Sequence, residues 1–323
     1  MITIAIPTYN RGAILVETIE RLLALEPRAA AIVIVDQTRK HSADVEARLR
    51  SWDRDGAIRW LRLDAPSIPR AMNDALVAAE TPLVLFLDDD IIPDPNLVAA
   101  HQAAHEDATL WAVAGQVLQP GESVIPPSGE KDLDGKLPSE ILLPSLRGEG
   151  ARRADEGCDT GDLDFQFNSS HPRLITNVMA GNLSVKRERA LEIGGFDENF
   201  TGAAYRFETD FAMRIAAAGG TIRFEPAASI RHLKLSTGGL RTFGDHRSAA
   251  TPAHTAGDYY FALHHIDRFW SYAARRIVKN VFTRYHATHP WTIPSKIAGE
   301  IRGLMLAKEL VRKGRRLRSV HER

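Results

Sequence analysis

The first 110 residues alternate short apolar runs with helical patterns, and this rhythm constrains the fold more than any other feature of the chain. "ITIAIP", "AAIVIVDQ", "AIRWLRL" and "PLVLFLDDD" read as strands, and "AILVETIERLLAL", "SADVEARLRSW" and "IPRAMNDALVAA" between them carry apolar residues at helical spacing. Strand and helix in strict alternation predict a parallel sheet with helices on its faces. Ligands of such sheets gather at the carboxyl ends of the strands, where loops and helix N-termini converge. The polar residues fall at that edge: "PTYNR" ends the first strand, Asp36 the second, and Asp88, Asp89 and Asp90 the fourth.

Three adjacent carboxylates repel one another and raise the pKa of at least one member unless a cation shares the site. Aspartates suit the hard ions Mg²⁺ and Mn²⁺, which bind through one or two carboxylates together with substrate phosphates. Alternation along the strand puts Asp88 and Asp90 on one side and turns Asp89 elsewhere. The competing reading is a solvated acidic turn that caps the following helix, with Asp94 as its N-cap.

Bulk properties exclude several classes. The 323 residues suffice for a large α/β domain with a real core, and 41 Lys and Arg balance 41 Asp and Glu, so the chain is not built overall as a nucleic-acid binder. The charge is uneven, with 13 cations against three acids from Ser271 onward. Cys158 is the only cysteine, which rules out an intrachain disulfide and fits reduced cytosol. The N-terminus lacks a secretory pattern, and no window approaches the ~18–20 apolar residues of a membrane-spanning helix. The expected location is cytoplasmic, with any membrane contact peripheral at the inner face.

Past the alternating half, residues 119–172 are rich in Gly, Pro and charge and read either as a lid or acceptor loop or as disordered. Order resumes at "LITNVMAGNLSVKRERALEIGGF", continues through the helix "RFETDFAMRIAAAG" and reaches a last strand at "ASIRHL"; from Tyr259 the chain reads as helical. The expected division is 1–118 for nucleotide-sugar binding, 119–172 as insertion or lid, 173–240 for the acceptor and the catalytic carboxylate, and 241–323 as a helical C-terminal region. Trp111 reads as a core residue. In the tail, Ile301, Leu304, Met305, Leu306, Leu310 and Val311 lie beside Lys308, Arg312, Lys313, Arg315, Arg316 and Arg318. That pattern suits either docking on anionic lipid or a helix packed on its own domain with its cations in water.

Taken in order, "IPTYNR", Asp36, "FLDDDIIPDP", "AGNLSVKRE", "IGGFDENF" and "FETDFAMRI" resemble the family 2 glycosyltransferases of the GT-A fold over roughly residues 2–235. The resemblance implies a Rossmann-like, mostly parallel central sheet flanked by helices, followed here by a C-terminal helical extension. It further implies an inverting transferase, assisted by Mn²⁺ or Mg²⁺, that moves a sugar from a nucleotide diphosphate donor, UDP by default, to an acceptor hydroxyl. Cell-surface polysaccharide, glycolipid or glycoprotein synthesis is the implied setting, with a saccharide or lipid-linked saccharide as acceptor.

Carried over by position, Pro7, Thr8, Tyr9 and Arg11 would cradle the nucleotide and Asp36 would read its base. Arg70 and Asn73 would lie near base and phosphate, although Met72 occupies the usual Arg position. Asp88 would bind ribose with Asp89 beside it, Asp90 and His232 would hold the metal, and Gly181 and Asn182 of "GNLS" would border the sugars. Glu208 falls where the family has its catalytic Asp, and Phe207 replaces the acid before it. A carboxylate there can take the acceptor proton as general base. Asp210 pairs with Arg214 one helical turn on. Two other readings share this fold: a sugar-phosphate nucleotidyltransferase, disfavoured because "PTYNRG" is poor in glycine, and a non-catalytic nucleotide or carbohydrate binder.

Overall fold

The computed structural model describes residues 1–126, 165–235, 237–239 and 250–318. Four parallel strands form one half of the sheet: β1 (Ile2–Thr8), β2 (Ala31–Asp36), β3 (Arg59–Arg62) and β4 (Leu83–Leu87), in the spatial order β3-β2-β1-β4. Helices α1 (Ala13–Leu23), α2 (Ala43–Arg54) and α3 (Ile68–Ala78) make the crossovers. Ile4, Ile6, Ile34, Val35, Leu85 and Phe86 are wholly buried, as strands covered on both faces require. Each such side chain contributes about 1.5–3 kcal/mol of hydrophobic stabilisation.

The second half of the sheet is mixed. After β4 come β5 (Ile91–Pro93), α4 (Leu97–Ala104), β6 (Leu110–Leu118), β7 (Arg173–Ile175), β8 (Asn182–Lys186), α5 (Arg187–Glu192), α6 (Phe207–Ala217) and β9 (Thr221–His232). The antiparallel strand β8 lies between β4 and β6, and β9 runs parallel to β6 and antiparallel to β5 and β7. Most of the insertion anticipated over 119–172, and Cys158 with it, lies outside the described residues. Its flanks meet through a bridge between Ile125 and Ser169.

Two register relations set up the crevice. Ile91 of β5 faces His232 of β9, so Asp90 arrives beside the end of β9, where its carbonyl accepts the Leu233 N–H at 2.9 Å. The ladder between β1 and β4 ends at Ala5 and Phe86, whereas that between β1 and β2 runs on to Thr8 and Asp36. Pro7 sits just past the end of the β4 ladder, where its missing N–H leaves no bond unmade and the two strands separate.

The C-terminal region is α7 (Ala256–His265), α8 (Phe269–Val281), α9 (Arg284–Thr288) and α10 (Ile293–Lys313). Leu304, Leu310 and Val311 pack on the core, and Gly314, at φ 83°, ends α10. The chain then turns inward, which corrects the reading of Arg315 and Arg318 as part of a solvated basic flank. Arg315 Nη1 lies 2.7 Å from Asp210 Oδ1 and 3.2 Å from Asp197 Oδ2. Arg318 pairs with Glu198 at 2.8 Å and also with Asp74. Backbone bonds from Glu198 N–H to Arg316 O and from Arg318 N–H to Gly194 O fix this segment against the "GGFDENF" loop.

Candidate functional site

The acidic motif leaves the fully buried strand β4 and divides as alternation requires. Asp88 and Asp90 converge on one imidazole: His232 Nε2 lies 3.0 Å from Asp90 Oδ1 and 3.7 Å from Asp88 Oδ2. Asp88 is about half exposed, with its side chain at 49%, while Asp90 is buried at 1%. Burial would raise the Asp90 pKa, but the His232 hydrogen bond and charge, the Leu235 N–H and Arg11 hold it below the ordinary carboxylate value. The same Asp90 bond, reinforced by the charges of both aspartates, raises the pKa of His232. Nδ1 of His232 lies 3.0 Å from Gln119 Oε1. An amide oxygen only accepts, so Nδ1 carries the proton there and Nε2 is aimed at the carboxylates.

Asp89 turns the other way, into the protein. Thr8 donates to its Oδ2 at 2.6 Å and Arg11 Nε lies 3.1 Å from its Oδ1. Burial dominates and pushes its pKa up to about 7 against the pull of Thr8 and Arg11. Arg11 also lies 3.3 Å from Asp90 and donates to Thr237 O, while Gly239 N–H reaches Tyr9 O at 2.8 Å. Residues 237–239 therefore sit against the loop after β1. A Cβ on Gly238 would stand 2.4 Å from Asn10 O, so that approach requires glycine.

Asp36 ends β2 and is completely buried. Its Oδ1 accepts the Thr38 N–H at 2.8 Å, and its Oδ2 accepts from His41 Nε2 at 2.6 Å and Trp60 Nε1 at 3.0 Å. It organises the loop after β2, and its carboxylate does not reach the acidic motif.

Glu208 opens α6, half-buried, and its Oε1 accepts the Ala180 N–H at 2.8 Å. The next residue, Gly181, is packed against Asp88: its carbonyl accepts the Asp88 N–H at 3.3 Å, and a Cβ there would lie 2.3 Å from Asp88 Oδ2. One continuous path thus runs from Glu208 through Ala180 and Gly181 to Asp88, His232 and Asp90.

Strained backbone lies in the loops that flank this path. Among the described non-glycine residues, positive φ occurs at Asn10, Ala204, Arg206 and Lys234. Asn10 lies in the loop after β1, Ala204 and Arg206 lie four and two residues before Glu208, and Lys234 lies two after His232. Such outliers persist where surrounding structure fixes them, and they cluster at functional sites.

Other sequence candidates lie behind the crevice. Asn182 is fully buried and bonded to His101 Nε2, Gln116 O and Ala228 O. Asn73 brackets the Phe196 backbone through bonds to its N–H and carbonyl, both 2.8 Å, and Gly195 leaves room for the Asn73 amide. Arg70 pairs loosely with Asp74 at 3.8 Å on α3. Trp111 packs on Gly220, with Arg189 over its ring. A groove of about 610 Å³ lined by Arg59, Asp74, Glu80 and Arg187 opens elsewhere, at the amino-terminal edge of the strands.

Sequence reasoning missed three supports. Gln119 orients His232, and its only signal was its place directly after an apolar strand. His41 and Trp60 hold Asp36 from a loop and a neighbouring strand. His265 and Arg315 join Arg214 around Asp210, which is wholly buried with Arg214 Nε at 2.8 Å and His265 Nε2 at 2.7 Å. Burial opposes ionisation there, but these three partners hold the Asp210 pKa well below its ordinary value.

Comparison with known proteins places the sheet and its N-terminal half among sugar-transferring enzymes by similarity. Residues 3–131 match the family model described as glycosyl transferase family 2. An uncharacterized glycosyltransferase, YfnE of Bacillus subtilis (strain 168), is 24% identical over 244 residues, covering 68% of this chain and 62% of that protein. The crystal structure of GalNAc-T7 with UDP, GalNAc and Mn²⁺ superposes with a TM-score of 0.59 at 15% identity, over 97% of this chain and 57% of that one. This chain thus spans roughly three-fifths of the length of either. Residues 3–131 are similar to glycosyl transferase family 2, and the chain shares the mixed α/β fold of a GT-A glycosyltransferase structure.

Proposed function

We propose that the chain is an inverting, metal-assisted glycosyltransferase that moves a sugar from a nucleotide diphosphate sugar, UDP-linked by default, to the hydroxyl of a saccharide or lipid-linked saccharide. Cell-surface polysaccharide, glycolipid or glycoprotein synthesis is the proposed setting. The observation that carries this reading is the continuity between Glu208 and the cluster of Asp88, Asp90 and His232 through Ala180 and Gly181. A proton acceptor and an anion-handling centre on one short path suit an in-line displacement, which needs a base on one side of the anomeric carbon and charge stabilisation on the other.

The donor set fits a divalent cation. Among the described residues no three His, Cys, Asp or Glu side chains form a ready-made metal cage. Mg²⁺-type sites seldom need one, since they use one or two carboxylates plus substrate phosphates and water. Asp90 is held ionised, Asp88 presents a half-exposed carboxylate, and His232 offers Nε2 once deprotonated. These three residues would hold the ion, which when bound supplies counter-charge for the diphosphate. Arg11 is near enough to Asp90 to share it before substrate arrives. Glu208 is the proposed base, and its bond from Ala180 fixes the carboxylate at the start of α6. Thr8, Tyr9 and Asp36 are proposed to shape the nucleotide loops, and Asn73 and Asn182 to support them from behind.

The test is turnover of nucleotide sugars, with water or added saccharides as acceptor, and product configuration read by NMR. Metal-dependent release of nucleoside diphosphate with inverted anomeric configuration is expected. Retained configuration removes the inverting assignment. Release of pyrophosphate from a nucleoside triphosphate and a sugar phosphate instead favours the nucleotidyltransferase reading.

A further inference from the structure

The C-terminal helices expose large apolar side chains that the core does not use. Trp270, Val278 and Phe282 recur at helical spacing along α8 and just past its end, with exposures of 65%, 56% and 77%. Ile297, Ile301 and Met305 repeat every four residues along α10 and are exposed as well. Arg276 near the middle of α8 pairs with Glu300 at 3.1 Å, and Lys308 near the end of α10 lies 4.6 Å over the Trp270 ring near the start of α8. These contacts make the two helices antiparallel neighbours, and Lys308 joins the two stripes. Trp291, 69% exposed, lies on the connection between them.

The charge around this face is predominantly positive. Between residues 267 and 313, eight Lys and Arg residues are exposed, Arg275, Lys279, Arg302, Lys308 and Arg312 among them, against two exposed carboxylates, Asp267 and Glu309. Glu309 is engaged by Lys313. Glu300 and Asp258, the other acids of this region, are buried in ion pairs and add nothing to the surface field.

We propose that the face formed by α8 and α10 docks on an anionic lipid surface, with Trp270, Phe282, Trp291, Ile301 and Met305 entering the headgroup boundary and the surrounding cations meeting lipid phosphates. Apolar area and basic charge on one face are the two components of interfacial binding, and aromatic rings favour that depth. A protein groove would need matching acids and a fixed shape, whereas a bilayer accepts scattered aromatics and long cationic side chains that reach past them. Among the described residues no helix is long and apolar enough to cross a membrane, so the contact is peripheral. It involves different residues from the inward-turned Arg315 and Arg318, and it does not depend on the reaction catalysed.

Co-sedimentation of the full chain with vesicles tests the proposal, comparing phosphatidylcholine alone with phosphatidylcholine mixed with phosphatidylglycerol. The wild-type chain is expected to bind the anionic vesicles, less so as salt rises. The triple variant Trp270→Ser, Phe282→Ser, Trp291→Ser is expected to lose about tenfold or more in partitioning while keeping its melting temperature, because all three side chains are exposed. Wild-type protein that stays in the supernatant with anionic vesicles overturns the proposal. So does a triple variant that binds as well as wild type. Sedimentation equilibrium showing a dimer that the triple variant dissolves, without vesicle binding, assigns the face to a second copy instead.

Discussion

Ala180 N–H donates to Glu208 Oε1 at 2.8 Å, and this bond ties the start of α6 to the segment against which Asp88 rests. If Glu208 is the base, Glu208→Gln should keep that bond, since an amide oxygen also accepts, while removing the proton acceptor. Transfer is expected to fall by about 10²–10⁴-fold with nucleoside diphosphate affinity unchanged. Steady-state kinetics beside calorimetry of UDP binding checks it, and undiminished turnover removes the assignment.

Gly181→Ala makes a complementary case. The new Cβ would stand 2.3 Å from Asp88 Oδ2, a movable carboxylate end, so Asp88 should swing aside at little cost to the fold. The expected outcome is a melting temperature near wild type with weakened metal-dependent nucleotide binding. A variant that keeps full affinity would show that the placement of Asp88 does not matter.

Arg315 reaches Asp210 from 105 residues away, and both Asp210 and Asp197 are wholly buried beneath it. Arg315→Met should destabilise the chain by about 2 kcal/mol, less than the loss of a sole partner, because Arg214 and His265 remain on Asp210. A double-mutant cycle with Asp210→Asn by urea unfolding should return a coupling of about 1–3 kcal/mol. Strict additivity would mean that the ion pair has no energetic content.

His101 and His105 predict the acid side of the stability curve. Both are buried against Ser184, and burial lowers their pKa values to about 4 and about 3 from an ordinary 6.5. Below pH ~6.5 the unfolded chain binds protons that the folded chain refuses until far lower pH. Their contribution is therefore fully present above ~6.5 and declines as pH falls from there. Urea midpoints should drop between about pH 6.5 and 5, and His105→Gln should flatten that slope. An unchanged slope would mean other groups set it.

The sequence made the parallel half of the sheet legible because buried strands and amphipathic helices leave separate periods, and β1 to β4 fall where the apolar runs do. The divided orientation of Asp88, Asp89 and Asp90 followed from strand alternation, and the Asp210–Arg214 pair from helical spacing. What the pattern did not carry was partner choice. Nothing local to Asp36 shows that Trp60, on a neighbouring strand, will share its carboxylate with His41, and nothing in a run of arginines separates Arg315, turned into the core, from Arg312, left in water. The antiparallel placement of β8 was equally hidden, since "NLSVK" has the same apolar alternation in either direction.

Calorimetric titration of UDP into wild type and Asp90→Asn, with and without Mn²⁺, tests the central claim most directly. The account predicts UDP binding that requires Mn²⁺ in wild type and is lost in the variant, because Asp90 is proposed to hold the cation together with Asp88 and His232. UDP binding of equal strength without metal, or unaltered in Asp90→Asn, would contradict it.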